Sequence, residues 1–162
     1  MVRKTEYSKM GGLDDRFFAH MEEIDLCWRL QLEGKSIFVV PQSVVWHLGG
    51  GTLPNDSPWK LKLNYRNNLL MLQNNLAKTY SLQEVRELTP EKAAVKACGR
   101  ARRTLFIRMC LDGCSALAYL LTGKKDCFKA VWEAHKEFRS LCTKTDVKEI
   151  QEYADTHRRI DV

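Results

Sequence analysis

The chain's 162 residues, 44% hydrophobic and 28% charged, suffice for one ordinary domain or a small domain with an appendage, and exclude wholesale disorder. The net charge of +6 is unevenly spread: residues 1–85 carry 10 basic and 9 acidic side chains, and residues 86–162 carry 16 and 11. From Arg86 to Lys125 the count is 9 basic against 3 acidic, around the most apolar stretch of the chain.

Residues 1–12 are polar and end in Gly11-Gly12. Asp14 or Asp15 can cap a helix running through the acidic stretch toward Gly34, a natural helix stop. Ser36-Ile37-Phe38-Val39-Val40 is predicted as a strand closed by Pro41, and Ser43-Val44-Val45-Trp46-His47 as a second strand running into glycines. Residues 49–58 form a loop rich in Gly, Pro, Asn and Asp. Ser57-Pro58 starts a helix whose stripe of Leu61, Tyr65, Leu69, Leu72 and Leu76 spans about five turns. Beyond residue 80 the pattern is helical. One helix is predicted near 86–108, a continuation or successor over 104–121 is broken at Gly123, and another carries Phe128, Val131, Trp132, His135 and Phe138. Residues 144–162 are polar and are predicted to fray or dock weakly.

The apolar stretch from Leu105 to Leu121 offers about 17 residues, interrupted by Arg108 and Asp112, where crossing a bilayer needs roughly 20. Spanning is disfavoured; lying on an anionic membrane surface or docking on a partner stays open, beside the ordinary solvated basic helix. The six cysteines contain no Cys-x-x-Cys pair and read as reduced thiols of a cytoplasmic protein, with Cys110 and Cys114 packed rather than metal-binding.

Two segments carry chemistry. Met21-Glu22-Glu23-Ile24-Asp25 puts three carboxylates within four positions, and Trp46-His47-Leu48-Gly49-Gly50-Gly51 opens a histidine into glycines. On a helix Glu22, Asp25 and Arg29 share a face, and Glu23 points about 100° away. From spacing alone Asp25 is a structural acid orienting Arg29, Glu23 a solvent-facing helix residue, His20 a polar residue at a pocket rim and His47 a packing residue. A carboxylate beside Phe17, Phe18 and Met21 in a cleft would instead become a useful base, and glycines after His47 would admit a diphosphate or a metal.

Together with Gly11-Gly12-Leu13-Asp14-Asp15-Arg16-Phe17-Phe18, Leu26-Cys27-Trp28-Arg29, Val39-Val40-Pro41 and Tyr65-Arg66-Asn67-Asn68, these motifs resemble the inverting glycosyltransferases of family 2, specifically bacterial rhamnosyltransferase-like members. The resemblance covers about the first 80 residues, and 104–140 more loosely. It implies an α/β chain, the C-terminal part of a GT-A nucleotide-sugar fold over 1–80, with a helical, membrane-peripheral extension over 81–162. It implies Glu23 as the general base taking the acceptor hydroxyl's proton, with Glu22 and Asp25 in the same acidic motif. His20, Gly49, Gly50, Arg66 and Asn67 would bind substrate, and His47 would help hold a divalent metal, Mg or Mn. Where the family usually shows Glu-Asp this chain has Glu-Glu, whose extra methylene moves the carboxylate by about 1 Å.

The implied partners are a nucleotide-diphosphate sugar and a saccharide or lipid-linked acceptor, in cell-surface polysaccharide synthesis at the inner face of the cell membrane. Nothing matches the family's nucleotide-binding strand or its Asp-x-Asp metal motif, so the chain reads as a fragment that is inactive alone and dimerises, by pairing unpaired strand edges or by exchanging helices. The rival reading is a non-enzymatic helical module for lipid or protein. Nucleic-acid binding through Arg100-Ala101-Arg102-Arg103 ranks last, because no aromatic residues interleave with those charges.

Overall fold

The computed structural model describes residues 1–46 and 57–158. Within them the elements are α1 (Lys4–Lys9), a 3-10 turn (Asp15–Phe17), α2 (Glu22–Leu32), α3 (Pro58–Glu84), α4 (Pro90–Leu121), α5 (Lys125–Leu141) and α6 (Val147–His157). The α/β expectation is therefore corrected. No strand forms among the described residues, and the architecture there is a helical bundle rather than part of a GT-A sheet.

The segments expected as strands show why. Residues 35–46 lie outside any helix and are exposed throughout, with Phe38, Val39, Val45 and Trp46 more than four-fifths open to solvent. A strand needs a neighbouring edge for its N–H and C=O groups, and β-branched residues alone do not supply one. Among the described residues the sheet edges expected as one route to a dimer are absent with the strands.

The centre of the bundle is α3. No residue from Lys60 to Leu82 is exposed, because α2, α4, α5 and α6 pack around it. Pro58 occupies its first turn as expected, but its 27 residues exceed the five turns that the leucine stripe suggested. The stripe underestimates length because a helix enclosed on several sides buries residues all round. Phe17 and Phe138 pack with Leu69 and Leu70 of α3. A second cluster joins Leu76 and Ala77 to Ala94, Cys98 and Ala101 of α4 and Ile150 of α6. The small side chains at 93, 94, 97, 98 and 101, spaced three and four apart, bring the α4 backbone close to its neighbours.

The segment from Pro90 to Leu121 is one helix of 32 residues, about 48 Å long. The polar tail is also corrected: Asp146 caps α6 through the Lys148 amide, Ile150, Tyr153 and Ala154 are buried, and the Tyr153 hydroxyl donates to the Leu32 carbonyl at 2.7 Å. Cys110 and Cys114, expected to pack, are exposed on α4; all six thiols are free.

Candidate functional site

The helix expected from Asp14 to Gly34 is broken in two, and the break falls at the acidic motif. Asp14 caps only the short 3-10 turn, accepting from the Arg16 amide. Phe18, His20 and Met21 then adopt positive φ values of 64, 71 and 72°, each costing a non-glycine residue about 1–3 kcal/mol; Phe18 (ψ −59°) centres a tight turn closed by the Ala19 amide on the Phe17 carbonyl at 2.8 Å. Helix α2 restarts at Glu22 and ends as expected at Gly34 (φ 72°). There the Lys35 amide reaches back to the Leu30 carbonyl, a closure that a left-handed glycine permits.

The surroundings hold the strained turn in place. Asn67 of α3 is fully buried, and its Nδ2 donates to the carbonyls of Phe17 (3.1 Å), Ala19 (2.6 Å) and His20 (2.7 Å). Arg66 adds an Nη2 bond to the Phe17 carbonyl at 2.7 Å and an Nε bond to Asn67 Oδ1 at 2.9 Å. Its Nη1 pairs with Glu137 of α5 at 3.0 Å, which Lys62 also binds. Burial pushes the Glu137 carboxyl up, but the bonds from Lys62 and Arg66 outweigh that and hold it below the usual range. The Phe17 ring is wholly enclosed.

A second network lies below. Asp25, fully buried, accepts from Arg29 Nε (2.8 Å), Asn75 Nδ2 (2.8 Å) and Asn74 Nδ2 (3.0 Å). Arg29 continues to the carbonyls of Met10 (2.6 Å) and Gly12 (2.8 Å), which ties the diglycine turn to α2. A side chain at Gly12 (φ 74°) would meet the Tyr7 ring at 3.1–3.2 Å. Asn74 also donates to Asp14 and accepts from Arg16. Burial raises Asp14's pKa, yet the hydrogen bonds from Arg16 and Asn74 leave it below the usual range. The diglycine, acidic and Arg-Asn motifs thus form one polar framework.

The catalytic candidates differ in situation. Glu22 and Glu23 occupy the first turn of α2, where the helix dipole favours a carboxylate. Glu22 is half-buried, and its Oε2 has no hydrogen-bond partner among the described residues; the same holds for Nε2 of half-buried His20. Glu23 is exposed. Asp25 is enclosed by Arg29 and two asparagines, and its geometry is that of a buttress under the turn. Arg66 and Asn67 direct their polar groups at the 17–20 carbonyls rather than at open space. His47, Gly49 and Gly50 lie outside the described residues, so Glu23 and His47 are not seen together. A polar cavity of about 390 Å³ opens behind the framework between Gly11, Arg16, Arg29, Asn74 and Lys144; Glu23 does not line it. Among the described residues no three His, Cys, Asp or Glu side chains cluster as metal ligands.

Asn74 and Asn75 were not among the expected site residues, and Asp14 was expected only as a helix cap. Their signal was present: two adjacent asparagines inside a helix need a reason, because they compete with the helical backbone unless their amides are engaged elsewhere.

No family model matches the chain, and no solved structure matches it. Over 72 residues it is 29% identical to N-acetylglucosaminyl-diphospho-decaprenol L-rhamnosyltransferase of Mycobacterium tuberculosis, in each of two strains. The match takes in 44% of this chain and 24% of each relative. The chain therefore spans about a quarter of the length of the curated relatives it matches. At the coarse level the similarity is to a glycosyltransferase.

Proposed function

We propose that the diglycine turn, α2 and α3 form the acid-bearing part of an inverting glycosyltransferase, in which Glu23 takes the proton from an acceptor hydroxyl. The oxygen so freed attacks the anomeric carbon of a nucleotide-diphosphate sugar, and the nucleoside diphosphate leaves from the opposite face. The single observation that carries this reading is the turn at 18–21. Three residues are held at strained φ by Asn67 and Arg66 directly before two adjacent glutamates. Strain maintained by buried hydrogen bonds is characteristic of positioned chemistry, and a general base requires positioning.

The relatives' name supports a rhamnosyl donor and a lipid-diphosphate-linked N-acetylglucosamine acceptor for the whole enzyme. The uncovered apolar run at 37–46 is consistent with a larger assembly, since most of the relatives' length has no counterpart here. The donor site would lie on that remaining part, so the 162-residue chain alone is expected not to transfer sugar. The test is transfer from a nucleotide-linked rhamnose to N-acetylglucosaminyl-diphospho-polyprenol, by the chain alone and with the donor-binding half of the mycobacterial relative added. Activity only in the mixture supports the reading. Turnover by the chain alone overturns the placement of the donor site outside these residues.

A further inference from the structure

From Phe106 to Leu121 every exposed side chain of α4 is uncharged apart from Arg108, which pairs with Asp112, and Phe106, Ile107, Leu111, Leu117, Leu120 and Leu121 are the largest. At 100° per residue these positions cover about half the circumference, over about 24 Å of helix. The acid within that stretch faces inward. Asp112 is 1% exposed and holds Arg108 at 2.9 Å and His135 of α5 at 3.2 Å. For α4 to leave the bundle and cross a bilayer, that buried carboxylate would lose its α5 partner, which is costly. By length and composition α4 could cross a membrane, but its contact with α5 through Asp112 favours a helix that stays on the bundle.

Basic side chains rim this face. Arg102 and Arg103 are exposed just before it, and Lys124 and Lys125 just after. On α5, Lys125, Trp132 and Arg139 are seven residues apart and form one exposed stripe. Trp132 lies about 60° around the helix from His135, which faces α4, and about 140° from Glu137, which faces α3. The stripe therefore borders the apolar face of α4, whereas Asp126 and Glu133 turn toward Trp59 and Lys62 on α3.

We propose that the outward face of α4, with the Lys125–Trp132–Arg139 stripe of α5, docks in the plane of an anionic lipid bilayer. Apolar side chains would enter the headgroup boundary, the basic rim would meet lipid phosphates, and Trp132 would sit at the interface. Charge decides the occupant: a second copy would bring one basic rim against another, while anionic headgroups neutralise it. This inference stands on the helix faces and is independent of the transferase reading.

The test is co-sedimentation of the full chain with vesicles of phosphatidylcholine alone, or mixed equally with phosphatidylglycerol. Binding is expected only to the mixed vesicles, weakening with salt and accompanied by a blue shift in fluorescence that Trp132→Phe removes. Paired Leu117→Asp and Leu121→Asp, at exposed positions that leave helical circular dichroism unchanged, should abolish binding. Paired Lys124→Glu and Lys125→Glu should weaken it at least about 25-fold, at about fivefold per basic side chain. Absence of binding to anionic vesicles overturns the proposal, as does undiminished binding by the aspartate pair. A dimer in light scattering that the aspartate pair dissociates, without vesicle binding, assigns the face to a second copy instead. Salt-sensitive binding to duplex DNA without vesicle binding assigns the rim to nucleic acid.

Discussion

Replacing Asn67 with alanine isolates the clamp on the acidic turn. One amide group is lost, and with it bonds to three carbonyls. The Phe17 carbonyl keeps Arg66, so two acceptors, those of Ala19 and His20, lose the bond that holds them. Each such loss costs about 1–3 kcal/mol when the group stays buried. Relaxation of Phe18, His20 and Met21 out of their positive-φ conformations returns part of that, at about 1–3 kcal/mol per residue. The buried Arg66 Nε also loses its acceptor, Asn67 Oδ1, so three groups at about 1–3 kcal/mol each, less partial relief of the turn, leave a destabilisation of about 3 kcal/mol. Urea unfolding followed by circular dichroism measures it, and amide exchange should rise most at residues 18–24 while α4 and α5 keep their protection. A loss below about 0.5 kcal/mol, with exchange unchanged at the turn, would refute the clamp.

Other outcomes follow from the same framework. Asp25→Ala should destabilise by about 3–5 kcal/mol, because it leaves Arg29 without its buried partner; a thermal melt checks this. Tyr153→Phe removes the bond to Leu32 that ties α6 to α2, and should cost about 1 kcal/mol in a urea titration. Asp14, Glu84 and Glu137 all titrate below their ordinary values in the folded chain. Their contribution is complete above the unfolded carboxylate range, near pH 4, and is lost as pH falls through the folded values. Stability should therefore hold from neutrality down to that range and drop below it, which an acid titration by circular dichroism reads directly.

Much of the helical content was legible because amphipathic spacing is local. The Pro58 start, the Gly34 stop and the Asp25–Arg29 pair needed only neighbours within a turn or so. The strands were not legible in the same way. Ile37, Phe38, Val39, Val44 and Val45 have strand-forming side chains, but pairing is a property of two segments, and the described chain offers no second edge. The left-handed turn was hidden for a related reason: Phe18, His20 and Met21 avoid positive φ on their own, and only Arg66 and Asn67, nearly fifty residues away, make it tenable. The same distance concealed the role of Asn74 and Asn75. The candidate acids were visible as a motif; what supports them was not.

The central claim is that the clamped turn presents Glu23 as a base. Glu23→Gln is the direct test, because the side chain is exposed and free of ion pairs among the described residues, so folding stability should change by less than about 0.5 kcal/mol. With the mycobacterial donor half supplied, sugar transfer should fall by about 10²–10⁴-fold, and Glu23→Asp should retain far more activity than the glutamine variant. Full transfer by a folded Glu23→Gln chain would contradict the account.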